Sequence, residues 1–321
     1  MPEPIKADTV SQLRLYTYCV ILVVIWGSAF TLIGVAVVHI TPLWMVTYRL
    51  IIGALFLALY IKIIGQKLPA LRDIRWVWYT GLGFTGMLFP FTLVATGQLS
   101  IDSGLSAILV GVMPLITIIL AHFFANERLT WAKFIGFGIG FLGITLLFLP
   151  DDLSFSLIKD WKAQLMVLGA AASYAITTVA AKRAPSTPSL HGGAMMLIGV
   201  VPLAIIAALF TGPPNLSAPP AAIGAVIALA VLSTALTNIL YLHVIELTGP
   251  SLLAKLNYFV PPISILLGII FLNEPFRART ILAFAIIVAG MIITRLGDKR
   301  RERKTLATQK LHEPSKDLNA D

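Results

Sequence analysis

The chain has 321 residues, of which 58% are hydrophobic and only 12% charged, and its mean hydropathy is +0.89. Soluble domains carry roughly 25% charged residues, and the charges here are also bunched, with no Asp, Glu, Lys or Arg between Arg183 and Glu246. A soluble domain, a disordered chain and a coiled coil are excluded, and the chain belongs in a bilayer.

A helix crosses the hydrocarbon of a membrane in about 20 residues. Cutting the apolar runs at charges and at Pro/Gly/Asn clusters predicts ten helices, at 15–38, 43–64, 76–98, 101–124, 131–149, 163–182, 190–210, 221–243, 249–272 and 279–296. The cut at 211–220 rests on the segment TGPPNLSAPP alone, since no charge marks it. Period-two alternation is absent, which argues against a β-barrel. The expected fold is therefore an all-α integral membrane protein. The first run exceeds the roughly 7–15 apolar residues of a signal peptide and is read as a retained helix. The lone cysteine, Cys19, rules out an intrachain disulfide.

The bases set the expected orientation. With both termini in the cytoplasm, Lys159, Lys162, Arg277 and Arg279 fall outside, Arg49 and Lys255 fall within spans, and the other 18 of the 24 Lys and Arg residues fall inside. Positive loops resist translocation, so a multi-pass protein of the cell (inner) membrane is expected; Arg277 and Arg279 run against the trend. The net charge of +9 gathers in loops and in a tail without interleaved aromatics, so no nucleic-acid partner is expected.

Comparing the chain with itself at an offset of 147 residues reveals a repeat. Ala107, Leu109, Pro114, Ile116, Ile118, Leu120, Phe124, Asn126, Glu127, Phe137, Ile139 and Gly143 recur as Ala254, Leu256, Pro261, Ile263, Ile265, Leu267, Phe271, Asn273, Glu274, Phe284, Ile286 and Gly290. The Leu and Ile matches carry little weight in apolar helices, whereas the shared Pro-x12-Glu spacing with Asn before Glu does. The expected organisation is a cytoplasmic segment 1–14, a five-helix repeat 15–149, a connecting loop 150–162, a second five-helix repeat 163–296 and a charged, disordered cytoplasmic tail 297–321. Five is odd, so the second repeat enters the membrane upside down. Inverted repeats of this kind are a transporter plan, with the substrate site near the midplane between them.

Trp26-Gly27-Ser28-Ala29-Phe30 resembles the WGS-x-F opening of EamA-type proteins of the drug/metabolite transporter superfamily. The TYRL segment around Arg49 is similar to that family's second-span arginine, and Pro114 to Glu127 and Asn257-Tyr258-Phe259-Val260-Pro261 to Glu274 resemble its Pro-then-Glu pattern in each half. The resemblance spans about residues 15–296. It implies ten helices, two inverted repeats, a central cavity, and transport, often export, of small metabolites such as amino acids. Lys255 stands where the resemblance has a small or apolar residue.

Several residues are candidates for a cavity lining. Arg49 costs about 2.5–3.5 kcal/mol at a helix centre; it either snorkels or ties to a helix-end carbonyl, or it is a cavity cation that holds a carboxylate or keeps cations out. Lys255 either snorkels on its flexible stem or faces the cavity. Thr234, Thr237, Asn238 and Tyr241 share one helical face, and Ser251, Lys255, Tyr258 and Pro262 share another, with Asn257 beside it. Tyr174 and Thr178 pair at i, i+4. Such polar residues either glue helices together or line the cavity. Trp26 and Tyr48 are candidates to stack on a ligand, whereas Trp44 suits an interfacial anchor. Pro114 and Pro261-Pro262 are expected to kink their spans, and Glu127 and Glu274 to anchor turns.

Two matches to GxGxxG, at Gly81–Gly86 and Gly138–Gly143, lie inside apolar spans and are read as small-residue packing faces rather than nucleotide loops. No cofactor and no metal site is expected. The expected function is a secondary transporter, an exporter of small polar metabolites such as amino acids, working by alternating access and drawing on a proton or other gradient. Its other partner is the lipid bilayer. The alternative is a membrane-embedded enzyme acting on a lipid-linked substrate, which would need reactive groups gathered at one depth.

Overall fold

A computed structural model describes residues 9–124, 131–148, 160–214, 217–240, 244 and 256–312. Among them the secondary structure is entirely helical. The helices are α1 (Thr9–Val37), α2 (Pro42–Ile63), α3 (Arg75–Gly97), α4 (Ser103–Val110), α5 (Met113–Phe124), α6 (Trp131–Phe148), α7 (Trp161–Ala181), α8 (Ser189–Leu209), α9 (Pro220–Leu240), α10 (Val260–Leu272) and α11 (Ala278–His312). Six of them, α1, α2, α3, α7, α8 and α9, are long and apolar enough to cross a membrane, and shorter apolar helices cover Ser103–Thr117, Phe134–Leu146, Val260–Leu272 and Ala278–Ile293.

Local chemistry explains the breaks. Pro114 lacks an N–H and its ring crowds the carbonyl four residues back, which is Val110, where α4 ends; the chain turns at Gly111 and Val112 before α5 begins. Pro261 and Pro262 likewise follow a 3₁₀ turn at Asn257–Phe259. The proline-rich cut proves to be the turn between α8 and α9, with Gly212 at φ +96, a conformation glycine adopts at no steric cost. The segment from 297 that composition assigns to a disordered tail differs: α11 continues as helix to His312. After Gly297 it holds neither Gly nor Pro until Pro314, and Leu, Lys, Arg, Glu and Ala are strong helix formers.

Two helices widen into a π turn, α3 at Phe84–Leu88 and α9 at Val231–Leu236. Their starts lie 147 residues apart, as do those of α2 and α8 (42 and 189), α5 and α10 (113 and 260), and α6 and α11 (131 and 278).

The chain forms two compact units. One comprises residues up to 117 and 150–276, the other 118–149 and 277 onward. In the second unit α6 and α11 pack antiparallel through small residues. Gly143 lies against Ala283 and Ile287, Gly136 and Gly140 against Gly290, and Ala132 against Gly297. In the first unit α2 packs on α8, and Thr47 Oγ1 donates to the Ala204 carbonyl at 3.1 Å while Trp44 Nε1 donates to the Gly212 carbonyl at 2.9 Å. That pair also runs antiparallel. So do α4 and α10, where Gly104 meets Ile265 and Gly111 meets Pro261.

Candidate functional site

Arg49 is the one buried charged side chain among the described residues, at 4% exposure. The first unit builds a shell around it from three helices. The π turn of α9 places the Thr234 hydroxyl so that it donates to the Leu229 carbonyl five residues back, at 2.9 Å. Its proton is then committed, and its oxygen accepts the Arg49 Nε–H at 2.8 Å. Gly53, one turn after Arg49, faces the same stretch of α9, where a Cβ would sit in ordinary contact with Thr234 Cγ2 at 3.4 Å. On the other side the guanidinium lies over the Phe91 ring of α3, 3.8 Å from its centroid. A cation over a ring face is attracted by about 2 kcal/mol or more when desolvated. The same ring packs against Tyr174 of α7, with centroids 6.4 Å apart.

What the shell lacks matters as much. Among the described residues no carboxylate pairs with Arg49, and its hydrogen bonding stops at Nε. The two terminal amino groups, the fork that suits a carboxylate, have no acceptor among the described residues. Next to them in sequence, Tyr48 packs its ring 5.6 Å from Trp44, and its hydroxyl is buried without a hydrogen-bond partner. Arg49 is thus buried within the first unit, and its hydrogen-bond tie among the described residues is the Thr234 hydroxyl.

The other candidates scatter. Asn238 of α9 lies against Gly193 of α8, where a Cβ would come within 2.6 Å of its Oδ1. Trp26 packs on an apolar cluster of Cys19, Leu22, Val23, Val244 and Leu256. Asn257 is exposed in the 3₁₀ turn that also holds Tyr258. Tyr241, Lys255 and Glu127 lie outside the described residues. Phe91 escaped the sequence reading, because a phenylalanine in an apolar run carries no mark of its own. Thr234 was legible as part of a polar face, but its partner was not.

Glu274 anchors a turn. Asn273 closes α10 in the left-handed conformation at φ 54, and the Glu274 carboxylate then accepts the backbone N–H groups of Ser103 at 2.7 Å and Gly104 at 3.4 Å, and the Ser103 hydroxyl at 3.0 Å. A carboxylate at a helix start satisfies donors that the helix leaves unpaired.

The EamA-like transporter family matches the chain twice, at residues 13–149 and 161–296. The chain is 28% identical over 280 residues to the uncharacterized inner membrane transporter YedA of Escherichia coli (strain K12), covering 86% of this chain and 89% of that one. It is 28% identical over 285 residues to the uncharacterized transporter YoaV of Bacillus subtilis (strain 168), covering 87% and 95%. A "probable terminal-alkyne amino-acid exporter" of Streptantibioticus cattleyicolor is 26% identical over 298 residues, covering 89% and 95%. A protein of known crystal structure shares the fold with a TM-score of 0.63 at 18% identity, over 90% of this chain and 99% of that one.

Proposed function

The chain belongs to the EamA-like transporter family over most of its length, and from that premise we propose that it exports small carboxylate-bearing metabolites, amino acids among them, by alternating access around Arg49. The single observation that carries the substrate class is the buried Arg49 guanidinium, held edge-on by Thr234 and face-on by Phe91, with its terminal amino groups unpaired among the described residues. A buried charge without a counter-ion costs several kcal/mol, and a substrate carboxylate supplies the missing partner. One relative is named as a probable amino-acid exporter, and amino acids carry that carboxylate.

The mechanism uses two five-helix halves, ten spans in all, lying upside down relative to each other. Three observations support it. Three pairs of helix starts and the pair of π-turn starts recur at an offset of 147 residues. The related helices α2 and α8, and α6 and α11, pack antiparallel. The family matches each half separately. When two near-equivalent halves exchange conformations, a pocket open to one face becomes open to the other. The positive-inside bias places both termini in the cytoplasm. A solute or proton gradient supplies the drive.

The test is counterflow in proteoliposomes. Purified protein preloaded with unlabelled L-amino acids should accumulate the labelled ones without added nucleotide. Arg49→Ala, correctly inserted, should cut the flux at least about tenfold, the equivalent of about 1.4 kcal/mol. Unchanged flux in that variant would contradict the proposal.

A further inference from the structure

Two side-chain amides are buried inside the first unit with polar atoms that have no hydrogen-bond partner among the described residues. Gln98, at 9% exposure, leaves both Oε1 and Nε2 without a partner, and Gln164, at 8%, leaves Oε1 so. They are the only side-chain amides in that state among the described residues. Burying such a group unpaired is costly, and a transmembrane core offers many apolar replacements of the same volume.

Their placement ties them to the Phe91 ring that carries Arg49. α3 and α7 run antiparallel: Thr177 Oγ1 bonds Thr85 Oγ1 at 2.8 Å, the Phe91 and Tyr174 rings meet, and Gly97 lies against Ala163 and Val167, where a Cβ would come within 2.5 Å of Val167 Cγ2. Gln98 and Gln164 are the chain neighbours of Gly97 and Ala163, so they start side by side. Gln98 also follows Phe91 by seven residues, which returns it to the same helical face and about 10.5 Å further along the axis at 1.5 Å per residue. The Phe91 face that supports Arg49 thus continues to the amide pair.

We infer that Gln98 and Gln164 form a second, uncharged subsite for the transported solute, two helical turns beyond Phe91 at the end of α3. An amide oxygen accepts from an ammonium group and an amide N–H donates to a carboxylate, so the pair suits a zwitterion. Because neither amide is charged, the subsite holds the solute more weakly than Arg49 does, as a release station requires. Gln98 lies about 10.5 Å along α3 from Phe91, the ring that carries Arg49, so a solute engages the two stations in succession. The inference rests on the proposed transport of carboxylate solutes past Arg49.

The test replaces each glutamine by methionine, which has a similar unbranched shape, in the full-length chain. Counterflow of a labelled L-amino-acid mixture and thermal unfolding in detergent are read together on Gln98→Met and Gln164→Met. A subsite predicts that the apparent KM rises about tenfold, the weight of roughly one hydrogen bond, while the unfolding temperature stays level or rises. Unchanged flux in both variants overturns the inference, as does a flux loss matched by a lower unfolding temperature, which marks the amides as structural. In either of these cases wild-type counterflow that still depends on Arg49 leaves the transport proposal standing, so the two failures are separable.

Discussion

Glu274, two residues past α10, accepts the Ser103 N–H at 2.7 Å and so ties the end of α10 to the start of α4. Gly268 faces the same carboxylate and has no room for a Cβ. Hydrogen bonds to a charged group are worth about 1.5–3 kcal/mol. Glu274→Ala is expected to destabilise the protein by about that amount, and Glu274→Gln, which keeps one acceptor oxygen, by less. Thermal unfolding in detergent checks the order; equal stability of all three proteins would remove the tie from the account.

Thr234 positions Arg49 by accepting its Nε–H. Thr234→Val keeps the shape and removes the acceptor, so counterflow should fall about tenfold, corresponding to one hydrogen bond near 1.4 kcal/mol. Thr234→Ser should retain most of the flux, because its hydroxyl can still donate to Leu229 and accept from Arg49. A valine variant as active as wild type would show that the Thr234 bond is incidental.

The glycines of α6 separate into two kinds. Gly143 meets Ala283 and Ile287, with a would-be Cβ 2.7 Å from Ile287 Cγ1, and Gly290 of α11 meets the Gly136 carbonyl, whereas Gly138 has open space around it. Gly143→Ala and Gly290→Ala are expected to cost about 1–3 kcal/mol through overpacking. Gly138→Ala should be neutral or stabilise by up to about 1 kcal/mol through helix propensity. Unfolding temperatures of the three variants decide it; a uniform response would dissolve the distinction.

These contrasts show what the sequence could carry. Hydropathy and punctuation placed the runs 43–64, 76–98 and 190–210 within a residue of Pro42–Ile63, Arg75–Gly97 and Ser189–Leu209, because charges and prolines end membrane helices for reasons that act locally. The 211–220 loop was legible for the same reason. Partners across helices were not. Arg49 was marked by its charge, but that Thr234 and Phe91 hold it depends on a π turn, and nothing in VLSTAL announces the extra residue per turn. The GxGxxG segments were readable as packing faces, yet which glycine packs depends on rotation about the helix axis. Gln98 and Gln164 look like ordinary span-end residues until their burial and missing partners are known.

In the loop before α3, Asp73 accepts Arg75 through its guanidinium, at 2.6 Å for Nη2, and through its backbone N–H at 2.9 Å. The guanidinium first, and the backbone N–H second, hold the Asp73 carboxyl down to about 2. The folded value lies below the ordinary one, so the stabilisation is complete above the usual carboxylate range near 4 and is lost as pH falls through about 2. A carbon-13 titration of the Asp73 carboxyl should find a midpoint near 2, and Arg75→Ala should return it toward about 4. An Asp73 midpoint near 4 in the intact protein would contradict the pairing.

The arrangement of the two halves can be read directly from which face of the membrane their matching loops reach. With Cys19→Ser as background, Arg128→Cys and Phe276→Cys place single thiols just after the Asn-Glu pair of each repeat, where a membrane-impermeant maleimide reports the exposed side. Inverted halves predict that the two thiols react from opposite faces, position 128 from the cytoplasm and position 276 from outside. Labelling of both from the same face would show two copies in parallel and leave alternating access through their exchange without a physical basis.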